Sequence, residues 1–216
     1  QASPRGTQVS VENLFFNVPA RLKFLRADIT ENRQVTGLVT RYAMAYPDIR
    51  WKLKQDDKLI FQTTGRGDRR EVLQVLFGSQ DARSLMPLTF HEQDISIEGF
   101  VSDLSLTRSN RRDITIFVNG RWVQDPALTA SVIKAYNTLL MVGRYPVVVL
   151  FISLPTEQVD VNVHPSKAEV RFRNSDQVFS TLQRAIKRGL LAYTPIPELN
   201  PVSLWGMRDL PRQFEQ

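Results

Sequence analysis

The chain contains no cysteine, which excludes disulfides and thiolate metal sites and makes a reducing cytoplasm the default compartment. Its two histidines, His91 and His164, stand far apart in sequence, so a His-rich metal site is not expected. Long apolar runs are also missing. The longest, residues 147–154, is interrupted by Ser153 and falls far short of the ~20 residues that span a bilayer, so no membrane partner is expected. The phosphate loop G-x-x-x-x-G-K-[ST], the dinucleotide fingerprint G-x-G-x-x-G, the zinc-protease pattern H-E-x-x-H and the nucleophile elbow G-x-S-x-G do not occur. Gly120 and Gly143 are isolated, and no pair of carboxylates stands out as an acid/base couple. The residues alone show no complete active site.

What is present is enough for a core. Of 216 residues, 42% are apolar and 23% charged, which argues against global disorder. Lysine and arginine outnumber the acids 28 to 22, a net charge of +6. That surplus favours a polyanionic partner such as nucleic acid, although many basic proteins bind none. The opening QASPRGTQ has neither an apolar core nor a starting Met and reads as the interior of a longer protein.

Periodicity sketches a mixed α and β chain. Val9 and Val11 alternate with polar residues over 7–14, a strand pattern. Pro19 opens a basic amphipathic helix over 19–26. Asp28 and Glu31 have capping-box spacing, followed by an inward stripe of Val35, Leu38, Val39, Tyr42, Ala43 and Tyr46 that ends at Pro47. Residues 49–53 and 59–63 flank a Gln-Asp-Asp-Lys turn and predict a hairpin. Gly65-Arg-Gly-Asp68 is the best linker candidate. A helix over 70–77 stops at Gly78, and strands are expected over 84–90 and 94–102. Ile114, Ile116 and Val118 run into Asn119-Gly120, a strong hairpin signal. Asp125-Pro126 caps a helix whose face is Leu128, Val132, Ala135, Tyr136 and Leu139. Residues 146–154 read as a strand covered on both faces. The stretch 160–172, DVNVHPSKAEVRF, reads as two short strands around a tight loop. Asn174 or Ser175 caps a last helix with Val178, Phe179, Leu182 and Ile186 inward. Beyond Tyr193 the chain is Pro-rich and aperiodic, a tail or linker.

Three stretches carry candidate chemistry, each with an ordinary alternative. Lys167 lies on the loop within 160–172. A lysine there is as a rule a solvated charge, but Pro165 and the flanking apolar residues fix its base, and a compact cation suits a terminal phosphate. His164 reads as a loop-orienting residue. In 14–26, LFFNVPARLKFLR, the aromatics Phe15, Phe16 and Phe24 with Leu25 are expected in the core. In 106–113, LTRSNRRD, Arg108, Arg111 and Arg112 form either a solvated loop or a phosphate-backbone surface that Arg121, Lys134 and Arg144 extend.

The blocks GTQVSVENLFFNVPARLKFL, IFVNGR and VDVNVHPSKAEVRF together resemble the MutL family of DNA mismatch-repair ATPases, in order and spacing, over residues 6–193. The resemblance implies an α+β two-layer fold. Residues 1–65 would be the C-terminal remnant of an ATPase domain of the type shared by DNA gyrase, Hsp90 and histidine kinases. Residues 66–193 would be a transducer domain like the second domain of ribosomal protein S5, and 194–216 a linker. It implies that Lys167 contacts the ATP γ-phosphate, that Gly6 and Thr7 edge the nucleotide pocket, and that Arg121 lies beside a DNA groove. It places the family's general-base Glu, its Mg²⁺-holding Asn, its adenine-binding Asp and its glycine-rich lid before Gln1. The chain by itself is therefore expected neither to hydrolyse ATP nor to bind it tightly. The implied setting is a bacterial-type cytoplasmic, nucleoid-associated homodimer. It would use ATP and Mg²⁺, bind DNA without sequence preference, and work with a mismatch-recognition MutS-type protein and a nicking endonuclease or helicase. A stand-alone S5-like nucleic-acid-binding module and a transducer of a type II topoisomerase are the alternatives. Neither accounts for the N-V-P-A-R-L-K-F-L block.

Overall fold

The computed structural model describes residues 7–160 and 170–193. After a one-turn helix α1 (Pro19–Leu22) comes the long helix α2 (Asp28–Ala45), then a hairpin of β1 (Lys52–Gln55) and β2 (Lys58–Gln62). Short helices α3 (Arg69–Phe77) and α4 (Ser79–Arg83) lead into β3 (Leu85–Glu92) and β4 (Ile95–Ser102). Two-residue β5 (Thr107–Arg108) precedes β6 (Ile114–Val118), β7 (Arg121–Val123) and helix α5 (Pro126–Ala135). Then follow β8 (Tyr145–Pro146), β9 (Val148–Ser153), β10 (Val159–Asp160), β11 (Arg171–Phe172) and helix α6 (Ser175–Tyr193).

The main sheet has the order β3-β4-β9-β6-β7. β9 pairs antiparallel with β4 and parallel with β6. A parallel pair needs a crossover, and α5 supplies it. Leu150 and Ile152 of β9 point to the face packed by Leu128 and Val132 of α5 and by Leu182 and Ile186 of α6. The alternate residue Val149, with Val147 just before the strand and Phe117 of β6, faces the other way and meets Met44 of α2 and Leu73 of α3. This double burial is why residues 146–154 are almost uniformly apolar. The result is the expected mixed α and β fold, with α5 and α6 on one face of the sheet and α2 and α3 against the other.

Local chemistry sets the element ends. Asp68 accepts a hydrogen bond from the Arg70 amide (2.8 Å) and Asp125 one from the Leu128 amide (2.8 Å), each capping its helix. Asn119 and Gly120 both take positive φ, 47° and 77°, as the two-residue turn between twisted strands requires. Gly99 has φ 140°, and an added Cβ would lie 2.1 Å from the Val149 carbonyl oxygen of the paired strand. Gly99→Ala is expected to destabilise the fold by more than ~1 kcal/mol, visible as a lower urea midpoint. An unchanged midpoint would contradict this close approach.

Helix α6 is also tied to the β3 end by polar contacts. Glu92 accepts from Thr181 Oγ1 (2.6 Å) and pairs with Arg184. Arg184, then Thr181, hold its carboxyl below the usual carboxylate range. A depressed folded-state value means this tie contributes fully above the unfolded pKa, ~4.3, and is lost as pH falls through the lower folded value. Glu92→Gln should therefore lower the melting temperature at neutral pH, with the gap to wild type closing below about pH 4.

Several expectations change. Residues 7–12 form no strand, and Val9 and Val11 are exposed: alternation prescribes a strand only where a neighbouring strand pairs with it. For the same reason Phe16, Phe24 and Leu25 are exposed and Phe15 is only half-buried; no described layer covers them. The helix expected over 19–26 is the single turn α1. Ala27, not Asp28, is the cap residue of α2, and Glu31 reaches back to the Arg26 amide (3.0 Å). Of the α2 stripe, Ala43 is buried but Val35, Leu38, Tyr42 and Tyr46 are exposed. Leu139 lies beyond the end of α5 and is exposed. Gly65-Arg-Gly-Asp68 bends between β2 and α3, with the Gly67 amide bonded to the Pro47 carbonyl (3.2 Å). Gly6, residues 161–169 with Lys167, and the tail 194–216 lie outside the described residues.

Candidate nucleic-acid interface

Arg33, Gly37 and Arg41 are spaced four apart on α2, so they share one face. Thr30, Gln34 and Thr40 flank them, and Arg26 precedes the helix. This polar face is one wall of an open groove of about 840 Å³. The opposite wall is built from Arg111 and Arg112, the start of β6, and residues 122–126. Five arginines thus line one groove. Among the described residues two carboxylates line it: Asp113 is paired with Arg108 Nε (2.9 Å), and Asp125 caps α5, so the five arginines outnumber the acids. The groove therefore presents uncompensated positive charge, the electrostatic footprint of a polyanion site.

The loop carrying Arg111 and Arg112 is shaped at its neck. Arg108 bridges Asp113 and, through its terminal nitrogen, Asp81 of α4. Asp81, with Asp113 adding to it, raises the Arg108 pKa above its ordinary value against the effect of partial burial. The Asp113 carbonyl accepts from the Val148 amide (2.9 Å), anchoring the loop to β9. At the tip, Asn110 accepts from the Arg112 amide (3.0 Å). The Arg111 guanidinium lies 5.1 Å from the Tyr145 ring centre.

Arg41 lies between the basic groove and a neighbouring recess of about 550 Å³. Its guanidinium carbon is 3.7 Å above the Trp122 ring. Burial pushes its pKa down, and its Nε is buried without a hydrogen-bond partner. A partly buried cation held by an aromatic face but lacking an anion is a costly arrangement.

The residues expected from sequence are distributed as follows. Arg111 and Arg112 line the groove. Arg121 is exposed and lines the recess on the other side of Trp122. Its turn is pinned by Asn119, whose side chain bonds the Leu154 carbonyl (2.9 Å) and amide (3.0 Å). The Arg108 guanidinium sits behind the loop, taken up by two carboxylates. Arg144 bonds Thr107 (2.9 Å to Oγ1), and Lys134 is exposed on α5; neither lines the groove. Thr7 is exposed in an irregular segment. Arg26, Arg33, Arg41 and Trp122 were not anticipated. The available signal was the polar stripe Thr30, Arg33, Gln34, Gly37, Arg41, at helical spacing on the face opposite the apolar stripe.

Among the described residues no cluster of three or more His, Asp or Glu could hold a metal ion, and no helix is long and apolar enough to cross a membrane. β10 pairs antiparallel with β11, Val159 opposite Phe172 and Asp160 opposite Arg171. That pairing brings together the two ends of the segment that contains Lys167.

Residues 73–191 match the family model described as DNA mismatch repair protein, C-terminal domain. The chain is 42% identical over 197 residues to the DNA mismatch repair protein MutL of Geobacillus sp. (strain WCH70), covering 91% of this chain and 32% of that protein. It is 39% identical over 212 residues to MutL of Staphylococcus saprophyticus, covering 98% of this chain and 32% of that protein. It thus spans about a third of the length of these relatives. In fold it is similar to the N-terminal domain of a DNA repair protein, with TM-score 0.68, 22% identity and coverage of 83% of this chain and 59% of that one. It is also similar to the Aquifex aeolicus MutL ATPase domain complexed with ADP, with TM-score 0.54, 22% identity and coverage of 79% and 55%. With the fold, the blocks IFVNGR and VDVNVHPSKAEVRF and these matches in agreement, the chain belongs to the MutL family of DNA mismatch-repair proteins.

Proposed function

We propose that this chain is the DNA-contacting and signal-relaying part of an ATP-driven mismatch-repair clamp. The observation that carries the reading is the groove between α2 and the loop 109–112, lined by Arg26, Arg33, Arg41, Arg111 and Arg112 against, among the described residues, only Asp113, which is paired with Arg108, and the helix cap Asp125. Such a surface binds a phosphate backbone by charge, without reading base sequence. In this reading residues 1–65 close an ATPase domain, 66–193 form the transducer, and 194–216 begin a linker. α2 supplies one groove wall and the transducer the other, so movement between the two parts would open or close the DNA site.

The nucleotide link rests on Lys167. Residues 159–160 and 171–172 pair and hold the ends of its segment, and a lysine ammonium there would meet the terminal phosphate of ATP. The nucleotide, bound with Mg²⁺ in the full-length protein, would supply the charge that couples domain position to its own state. Gly6 and Thr7 would edge that pocket. The full-length protein would act in the cytoplasm on the nucleoid as a homodimer. It would pass its signal from a mismatch-recognition MutS-type protein to a nicking endonuclease or helicase.

The test is binding of the chain to duplexes of about 30 base pairs and unrelated sequence, at several salt concentrations. Equal affinities that fall steeply with salt are expected. Affinity that is absent, or insensitive to salt, would overturn the reading.

A further inference from the structure

We propose that Arg108 is a positioning residue of the groove and not one of its DNA contacts: it locks the loop 109–112 so that Arg111 and Arg112 stay on the groove wall, and it neutralises Asp113 there. The inference rests on the DNA-groove reading above and adds a residue role to it.

The geometry of the neck carries the argument. Arg108 and Asp113 stand at the two ends of the loop and are joined across it at 2.9 Å. Each end is fixed independently: β5 pairs with β8, Arg108 opposite Tyr145, and the Asp113 carbonyl is bonded to β9. Arg108 is further anchored to Asp81 of α4. Both its partners are two-thirds covered, so these bonds are less screened than surface pairs. The loop needs such a brace. Its two arginines face three more across the groove, and like charges without a ligand push it toward solvent. Asp113 lines the groove. Left unpaired, it would oppose a phosphate. One guanidinium therefore closes the neck and removes the adverse charge.

Asp81 provides a test of sign, because it lines no part of the groove. If Arg108 touched phosphate directly, Asp81→Asn would remove a competing negative charge and tighten binding. A positioning role requires the opposite: Asp81→Asn weakens duplex binding about 3- to 10-fold, with a shallower salt dependence. Arg108→Lys keeps the charge but concentrates it on one nitrogen of a flexible stem, in place of the separate Nε and Nη2 donors that meet the two carboxylates. It should lose nearly as much as Arg108→Gln, whereas a simple contact would tolerate it. Arg111→Ala/Arg112→Ala should make the log–log salt slope shallower by about 1.8, two phosphates' worth. Adding Arg108→Gln to that pair should cost less than Arg108→Gln does alone, because only the penalty of the unpaired Asp113 remains.

Melting curves separate this from a purely structural role, which would lower the melting temperature and leave the salt slope unchanged. Asp81→Asn binding at or above wild-type affinity, or Arg108→Lys binding like wild type, would overturn the positioning role while the groove stands. If Arg111→Ala/Arg112→Ala alters neither affinity nor slope, the groove reading itself fails and this inference with it.

Discussion

Replacing Lys167 with alanine in the full-length protein is expected to lower steady-state ATP hydrolysis about 10²-fold or more, the scale of removing one charge-stabilising group from a transition state. DNA binding without nucleotide is the control, and it should stay within about 2-fold of wild type. The expectation starts from sequence chemistry. Alternating valines end at Pro165, which has no N–H to continue a ladder, and the alternation resumes at Val170 and Phe172. The outer residues pair as β10 and β11, and Val170 and Phe172 join the main core. A cation anchored between such ends can be delivered to one place, and an ammonium suits a terminal phosphate. Turnover equal to wild type would make Lys167 an ordinary solvated lysine and remove the nucleotide link.

Charge reversal on both groove walls, Arg33→Glu with Arg112→Glu, is expected to weaken duplex binding about 10²-fold or more near 0.1 M salt. Each change deletes a cation and sets a carboxylate against the phosphate backbone. Both side chains lie at the surface of the groove and neither belongs to the buried core, so the fold should survive. Lys134→Glu reverses one charge at an exposed position of α5 that does not line the groove, half the change in charge of the double variant. It should cost less than about 3-fold, because Lys134 does not line the groove and an exposed charge away from the contact is partly screened at this ionic strength. Equal losses from the two surfaces would mean that net charge, and not this groove, drives association.

The elements most legible in the sequence were those whose ends are written in local chemistry. Asp125-Pro126, Asn119-Gly120 and Gly78 each decided a cap, a turn or a stop through interactions within a few residues. The apolar run 146–154 announced a strand buried on both faces because composition alone encodes that. What failed depended on partners distant in sequence. Val9 and Val11 alternate, but no described strand lies beside them. The α2 stripe is amphipathic, but which face packs against the sheet is settled by Met44 meeting Phe117 and Val147.

The candidate site divides in the same way. Arg111 and Arg112 were visible as a cluster because they are adjacent in sequence. Arg26, Arg33 and Arg41 join them only through the docking of α2 onto the sheet, some 70 residues away along the chain. Arg108 looked like a third member of the loop cluster, and nothing local shows that Asp81, 27 positions earlier, holds it from behind. Trp122 was legible as a hairpin residue, but its role as the platform under Arg41 appears only in three dimensions.

The most direct measurement is hydrogen–deuterium exchange of the chain with and without a short duplex at low salt. Slowed exchange confined to residues 26–41 and 109–124 would place the phosphate backbone between α2 and the arginine loop. Slowed exchange on the exposed sides of α5 and α6, with residues 109–112 unchanged, would contradict the groove as the nucleic-acid interface.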